Sequence, residues 1–383
     1  MNYAKPILFS IIFVLTACSG PAPSTQENEE TTIKNPEYGH WQDSEHSPLN
    51  FTKTAAYGTD ENVEEALLTR STDVFTDKDL NLYVLDSGGN RLVCYTPDGN
   101  LKWVTGKEGE GPGDFTNARN MTWDGDNSIY IENMYGSRID QFDLNGDFIN
   151  SFTPPQLTDN KRPVSMVGFM EGKLVLSKGV RGGLIRTFLI VDPEKPTNII
   201  RSFTVDITED MEIPETGSSF SDPSIVDNQL VTPGMVSYKL QFYNADSTKT
   251  KTVIRNMDKL VSPVIFKDEG GVISVTLGGI NPVLKLNEDY YITSASWPLD
   301  IEDPEKFVKE MMAGKIRDFD NGNTIDLYNS KWELLYSLES DGNSNPDLGT
   351  PIHIDQKGYM YSSFLDPFPH IKKFKVTITA PNK

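Results

Sequence analysis

Cysteine and histidine are scarce in this chain. It contains two cysteines and four histidines among 383 residues. No histidine lies at zinc-ligand spacing from another histidine or a cysteine, and no Ser-His-Asp or Cys-His pattern typical of a nucleophilic enzyme is evident. Two cysteines are also too few for a disulfide framework. The scarcity therefore excludes disulfide-rich modules and gives no support to a zinc site or a catalytic triad.

Basic charge is in short supply as well. The chain has 55 acidic and 35 basic side chains, for a formal charge of −20 at pH 7. That balance disfavours nucleic acids and anionic lipid surfaces as general partners, and it favours solubility. Hydrophobic residues make up 37% of the sequence and aromatic residues 10%, which is enough for a large core. The composition predicts a folded protein that does not bind nucleic acid.

The N-terminus has the layout of a signal peptide. Lys5 precedes a short apolar run from Ile7 to Leu15, too short for a permanent transmembrane helix. The next residues, Leu15-Thr-Ala-Cys18, resemble the lipobox of bacterial lipoproteins. That resemblance implies removal of residues 1–17 and a thioether-linked diacylglycerol on Cys18, with a further acyl chain such as palmitate on the new amine. The alternative is an ordinary secretory peptide with a chance cysteine.

Residues 18–48 are rich in Gly, Pro, Ser, Thr, Asn and Glu and have almost no apolar periodicity. This composition predicts a flexible tether between the anchor and the folded body. Ser19 is not the acidic residue that marks inner-membrane retention in some bacteria. The sequence therefore predicts an exported protein, anchored by lipid in the cell envelope, at the outer rather than the inner membrane.

An internal repeat with an offset of 47 residues begins near residue 72. It aligns Asp77-Lys-Asp79 with Asp124-Gly-Asp126, and the same offset carries Arg91 onto Arg138. Each copy consists of short strand-like runs separated by Asp, Asn and Gly turns. A period of 40 to 50 residues built from strands is typical of a β-propeller, in which each repeat forms one blade.

Weaker copies extend the pattern to an all-β, six-bladed β-propeller of four-stranded antiparallel blades, spanning residues 49–380. The predicted blades cover residues 72–105, 118–152, 162–205, 220–255, 280–338 and 350–378. The last blade lacks one strand, which residues 51–57 can supply. Such closure pairs the two ends of the domain and removes free sheet edges.

The glycine-rich segment Gly106–Phe115 and the strands that follow it resemble an NHL repeat. The match is specific over blades one and two and degrades from about residue 160 onward. The wider resemblance is to six-bladed, TolB-like propellers, including exported bacterial lipoproteins of unassigned function. It implies that the Gly109–Gly113 loop is the connection between blades one and two. The glycines of this loop superficially resemble a phosphate-binding loop.

Two segments interrupt the repeat. Residues 258–281 resemble a hairpin with a Gly-Gly turn, either as an insertion or as the outer part of a blade. Residues 303–314 predict a short helix in blade five, with Asp303 as N-cap, Pro304 at the first position and Gly314 at its end. This helix either covers the central channel or packs against the rim.

Four residues are candidates for ligand binding: Arg91, Arg138, Arg186 and His353. The arginines occupy similar positions at the start of the third strand in successive blades, so they could ring one mouth of the channel and attract an anion. Alternatively, each pairs with an acid of its own blade, such as Asp86. His353 lies on an innermost strand and could face the channel or serve a structural role.

Other residues are better explained by structural roles. The pairs Asp77/Asp79 and Asp124/Asp126 could attract calcium, but turn capping explains them better because they lack further ligands. Cys94 lies in a strand-like run with no histidine or cationic cluster nearby, which predicts a small buried residue and not a reactive thiol.

Two classes of function remain open. The first is a binding module, without cofactor, that presents one propeller face to a protein, peptide or glycan. The second is a metal-dependent hydrolase or lyase resembling the gluconolactonase-like propellers, with Asp73, Asn120 and Asp355 as candidate channel oxygens. The absence of a catalytic pattern favours binding.

Overall fold

The computed structural model describes residues 30–44, 46–155, 164–179, 185–206, 223–234, 237–261, 264–268, 271–275, 277–316, 320–341 and 347–381. Cys18, the signal segment and the first part of the predicted tether lie outside them. None of the described helices has the length and apolar character needed to span a membrane.

Six sheets form the body, and the predicted six-bladed propeller is confirmed. After β1 (Thr31–Asn35) and β2 (Leu49–Tyr57), the first three blades consist of four antiparallel strands each. Blade one contains Ser71–Thr76 (β3), Leu82–Asp86 (β4), Arg91–Tyr95 (β5) and Leu101–Thr105 (β6). Blade two contains Met121–Trp123 (β7), Ser128–Asn133 (β8), Arg138–Asp143 (β9) and Phe148–Phe152 (β10). Blade three contains Ser165–Met170 (β11), Lys173–Gly179 (β12), Ile185–Asp192 (β13) and Lys195–Asp206 (β14).

The remaining blades follow the same order from the centre outward. Blade four contains Ser224–Val226 (β15), Gln229–Pro233 (β16), Lys239–Tyr243 (β17) and Lys249–Arg255 (β18). A separate hairpin of Val264–Asp268 (β19) and Gly271–Val275 (β20) comes next. Blade five contains Gly279–Ile280 (β21), Leu284–Lys285 (β22), Tyr290–Pro298 (β23), Asn321–Asn329 (β24) and Leu334–Asp341 (β25), with helix α1 (Pro304–Met312) between β23 and β24. Blade six contains Thr350–Ile354 (β26), Tyr359–Phe364 (β27) and His370–Ile378 (β28).

Blade six is completed by the N-terminal strand β2. It pairs antiparallel with β28 from Leu49 opposite Ile378 to Tyr57 opposite Ile371. The two ends of the domain therefore meet in one sheet, and the ring has no open edge between its first and last blades.

The core lies between adjacent blades. In the inner strands β4 and β5 nearly every residue is buried, because both faces of the sheet meet a neighbouring blade, whereas the outermost strand β10 is largely exposed or half-buried. Aromatic rings fill the gap between blades one and two: Phe75 stacks on Tyr83 at 4.6 Å and on Trp123 at 5.7 Å between ring centroids. Burial of such aromatic side chains is the main favourable contribution to the free energy that holds adjacent blades together.

Residues 18–48 were predicted to be a flexible tether, and this prediction is wrong for the second half of that segment. Strand β1 adds a fifth, parallel strand to blade four by pairing with β18. Asn35 then donates to the Trp332 carbonyl at 3.0 Å and accepts from the Leu334 N–H at 2.8 Å. These contacts are mostly backbone and amide hydrogen bonds at a sheet edge, so the segment needs no apolar periodicity to be ordered.

The predicted helix and hairpin pack against each other. Asp303 caps α1 by accepting from the Lys306 N–H at 3.0 Å. Val308 of the helix is fully buried against Val264 and Leu277 of the hairpin region. Of the two interpretations of the helix, these contacts support packing onto the body.

Antiparallel pairing gives the propeller two unlike faces. Connections between the first and second strands, and between the third and fourth strands, emerge on one side, which we term the turn face; its turns include residues 77–81, 96–100, 124–127, 144–147 and 355–358. The described connections between the second and third strands, and the described crossovers between blades, emerge on the opposite side, which we term the loop face. The loop face includes residues 58–70, 106–120, 134–137, 299–316 and 365–369, together with the β19–β20 hairpin.

Candidate functional site

Arg91 and Arg138 both bind acids of their own blade. The Arg91 Nε lies 2.9 Å from the Asp86 carboxylate, and the Arg138 Nε lies 2.9 Å from that of Asp140. Both carboxylates are fully buried. At these two positions the structure therefore shows an Arg–Asp pair within each blade, which is the second of the two interpretations given above.

The same guanidinium groups also hold the crossover loops. Arg91 donates to the carbonyls of Glu65 and Leu67, and Arg138 donates at 2.7 Å to those of Glu110 and Asp114. Each arginine thus ties the chain entering a blade to the third strand of that blade. Arg186 lies at the start of β13, where its backbone faces Val205 and Gly179. A cationic ring formed by the three residues remains a prediction.

Replacing Arg138 with alanine is expected to lower the free energy of unfolding by about 1–3 kcal/mol, because the buried Asp140 carboxylate loses its charged partner. Urea unfolding measures the change. The exposed pair Lys78–Asp126 provides a control, since Lys78→Ala should alter stability by less than about 0.5 kcal/mol. Equal effects of the two substitutions would contradict the structural role of Arg138.

His353 connects blades six and one. Its Nε2 lies 2.9 Å from the Thr76 hydroxyl of the neighbouring innermost strand, and its ring centroid lies 5.6 Å from that of Tyr361. Burial lowers the pKa of His353 from 6.5 to about 4, against the opposing influence of Asp355. The imidazole is therefore neutral at physiological pH and positioned to bond across the blade junction.

This pKa predicts a pH-dependent stability. Between pH 6.5 and about 4 the unfolded chain binds a proton at His353 that the folded protein does not, so stability falls as the pH falls. The contribution is at most about 1.4 kcal/mol per pH unit. In His353→Gln, the free energy of unfolding measured with urea should depend less steeply on pH across this range, because the titrating imidazole is absent. If the difference in unfolding free energy between the wild type and His353→Gln were the same at pH 7 and pH 4.5, the lowered pKa of His353 would be refuted.

The turn acids cap their own turns. Asp77 Oδ1 accepts from the N–H groups of Asp79 and Asn81, both at 2.9 Å. Asp124 accepts in the same way from the residues two and four positions onward. Asp355 repeats the pattern at distances of 2.9 and 3.0 Å. A calcium-binding role for these acids is not supported, because their oxygens satisfy backbone donors.

The other candidate channel oxygens join adjacent blades. Asp73 accepts from the Met121 N–H at 2.8 Å. Asn120 donates to Glu132 at 2.6 Å, and the buried Glu132 also accepts from the Met166 N–H at 3.0 Å. Within the described part of the chain, no three His, Cys, Asp or Glu side chains are grouped as metal ligands. Asp73 and Glu132 each accept a backbone N–H of the next blade, which gives them a structural role between blades.

Cys94 and the glycine-rich loop both serve structural roles. Cys94 is fully buried, and this burial raises the pKa of its thiol to about 12. In the loop, the Phe115 N–H donates to the Lys107 carbonyl at 2.8 Å, while the Phe115 ring packs on Phe142. The loop is a crossover anchored by its own backbone and one aromatic residue.

The sequence reasoning missed a pair of side chains on the loop face. Arg119 lies over the ring of Tyr135 with its guanidinium carbon 4.7 Å from the ring centroid. Tyr135 is 49% exposed, and both it and Met134 have left-handed backbone φ values, 57° and 50°. The sequence gives little sign of this pair, because left-handed φ is unusual for Met and Tyr.

Further exposed hydrophobic residues lie on the same face. Leu365, 74% exposed, is in blade six, Val63 is in the crossover into blade one, and Met312 is on α1 in blade five. Together with Tyr135 in blade two, they occupy consecutive blades. Among the described residues, no large hydrophobic side chain of comparable exposure lies in the turns of the turn face.

Comparison with known proteins gives the fold. A family model described as a 6-bladed beta-propeller, DUF5128, matches residues 63–173. No curated protein matches the sequence. The family match covers blades one and two and the start of blade three, where the internal repeat is clearest.

Several solved structures resemble the whole body. A member of the DUF4221 family from Bacteroides vulgatus has a TM-score of 0.56 and 10% identity, covering 86% of this chain and 99% of that chain. A presumed exported protein from Bacteroides fragilis has a TM-score of 0.56 and 11% identity, covering 91% of this chain and 100% of that one. Virginiamycin B lyase from Staphylococcus aureus is more distant, at TM-score 0.41 and 13% identity over 86% of this chain and 99% of that chain. At such low identity the two Bacteroides structures show the fold alone.

Proposed function

We propose that this protein is an exported lipoprotein whose propeller acts as a binding module, with the loop face as its recognition surface. The observation that carries the proposal is the difference between the two faces. Short turns capped by their own acids form one face, while the other carries the insertions, the long crossovers and the exposed hydrophobic residues of consecutive blades. Loops on a rigid scaffold are common positions for binding residues, and exposed apolar side chains there are available to contact a partner.

The N-terminal sequence supports the lipid anchor. Two thioether-borne acyl chains and an acylated amine on Cys18 would exceed the single chain that gives only marginal membrane binding. The resemblance to a presumed exported protein is consistent with export. Ser19 after the lipidated cysteine favours the outer membrane.

A recognition role also agrees with the repeat resemblance. The NHL-like pattern of blades one and two belongs to a class of propellers that commonly bind other molecules, although fold alone does not fix function. The candidate partners are a protein, a peptide or a glycan of the cell envelope.

A pull-down with the full-length protein from its native membrane tests the proposal. We expect partners to be recovered above background by the wild type and lost with Leu365→Asp, because a charge at this exposed apolar position of the loop face disfavours docking. Ile149→Asp is the matched control, since Ile149 is 50% exposed on the outermost strand β10, away from the loop face. Recovery that is equal for both variants, or absent for the wild type, would contradict the proposal.

A further inference from the structure

Two arginines mark the start of adjacent innermost strands. Arg70 directly precedes β3, and Arg119 lies two residues before β7, with its N–H donating to the Glu132 carbonyl at 3.1 Å. The bond from the Met121 N–H to Asp73 joins these two strands side by side. Innermost strands surround the central channel of a propeller. Both arginines therefore lie where the loop face meets the channel mouth.

Neither guanidinium group has an acidic partner among the residues that the structure describes. Arg70 donates through its Nε to the Ser87 hydroxyl at 3.1 Å, and Arg119 contacts the Tyr135 ring. Both side chains are exposed. Arg91, Arg138 and Arg255, in contrast, each bind a buried carboxylate. In a chain of net charge −20, two guanidinium groups without acids on adjacent blades leave donors available to an anion.

Tyr135 adds a flat apolar surface beside this charge. The backbone at Met134 is fixed by bonds from its N–H to the Thr116 carbonyl at 2.8 Å and to Asn133 Oδ1 at 2.9 Å. Left-handed conformations at two successive residues with side chains cost free energy, and in proteins such strain concentrates at functional sites. Here the strained loop presents an aromatic ring to solvent next to Arg119.

We propose that Arg70, Arg119 and Tyr135 form a subsite for a uronic acid unit of a glycan. A guanidinium group binds a carboxylate through two parallel hydrogen bonds, which gives both affinity and orientation. A pyranose ring carries its carboxylate rigidly beside a flat face of C–H groups, so one sugar can contact the arginines and the tyrosine together. An acidic peptide side chain offers the carboxylate without a rigid flat face. The inference rests on the proposed binding function and selects the glycan among its candidate partners.

Calorimetric titration of the full-length protein with a panel of triuronic acids tests the subsite. The panel comprises trigalacturonate, trimannuronate and triguluronate, and the methyl ester of trigalacturonate is the uncharged control. We expect at least one acid to bind and its affinity to weaken as salt is raised. Arg119→Gln and Tyr135→Ala should each weaken binding by about tenfold or more. Arg201→Gln, an exposed arginine on the outermost strand β14, should leave it unchanged.

Three outcomes would overturn the subsite: no acid binds, the methyl ester binds as well as the acid, or the affinity is the same in Arg119→Gln. Binding of a tri-aspartate peptide in preference to every triuronate would also overturn it. Unfolding curves of the variants establish that they are folded. Loss of the pull-down in Leu365→Asp is measured separately, so the binding function can stand if the sugar subsite fails.

Discussion

Replacing Asp326 with alanine is expected to lower the free energy of unfolding by about 3–5 kcal/mol. Asp326 and Arg255 form an ion pair at 2.9 Å between blades five and four, and both side chains are completely buried. Tyr238 and Thr324 also donate to the same carboxylate, at 2.5 and 2.7 Å. Removing the carboxylate leaves the buried Arg255 charge with only the partly exposed Glu339, at 3.8 Å, as an acidic neighbour, which is why the expected loss is large.

The same pair holds the N-terminal segment in place. Arg255 donates through its Nε to the Glu37 carbonyl at 2.8 Å, so three parts of the chain meet at one guanidinium group. Burial, followed by the charge of Asp326, raises the pKa of Tyr238 well above its usual value and keeps the phenol protonated as a donor. The contact therefore joins blade four, blade five and residues 30–44.

Urea unfolding tests this prediction with two comparisons. The double variant Arg255→Met, Asp326→Leu should lose less stability than the sum of the single variants, because it leaves neither charge unpaired. Glu305→Gln, which breaks the exposed pair with Lys309 on α1, should cost less than about 0.5 kcal/mol. A loss below about 1 kcal/mol for Asp326→Ala would contradict the structural importance of the pair.

Replacing Cys18 with alanine is expected to abolish incorporation of labelled palmitate. The thiol is the proposed site of the diacylglycerol, so its loss removes the group to which the acyl chains are attached. Cys94→Ala is the control, because Cys94 is buried in blade one and should not affect labelling. A wild-type protein that takes up no label and fractionates as soluble would refute the anchor.

The fold could be predicted because the repeat carries local signals. Asp77 and Asp124 recur at one offset because each caps the same turn with the same two N–H groups. Arg91 and Arg138 recur for a similar reason, since each holds a crossover to its blade. Such short-range chemistry leaves a periodic pattern that a single sequence can show.

Two of the features that escaped prediction depend on distant parts of the chain. Strand β1 is ordered by the edge of β18 more than 200 residues away, and its polar sequence carries no strand pattern. Arg255 and Asp326 are 71 residues apart, on different blades. The Arg119–Tyr135 contact is local, but it depends on left-handed backbone at Met134 and Tyr135, which neither residue type predicts.

Site-specific photo-cross-linking in the native cell envelope tests most directly whether the loop face is the recognition surface. A photoreactive residue at position 365 reports on the loop face, and one at the exposed position 145 reports on the turn face of blade two. We expect a discrete cross-linked product from position 365 and none from position 145. Products from position 145 alone, or identical products from both positions, would contradict the assignment of recognition to the loop face.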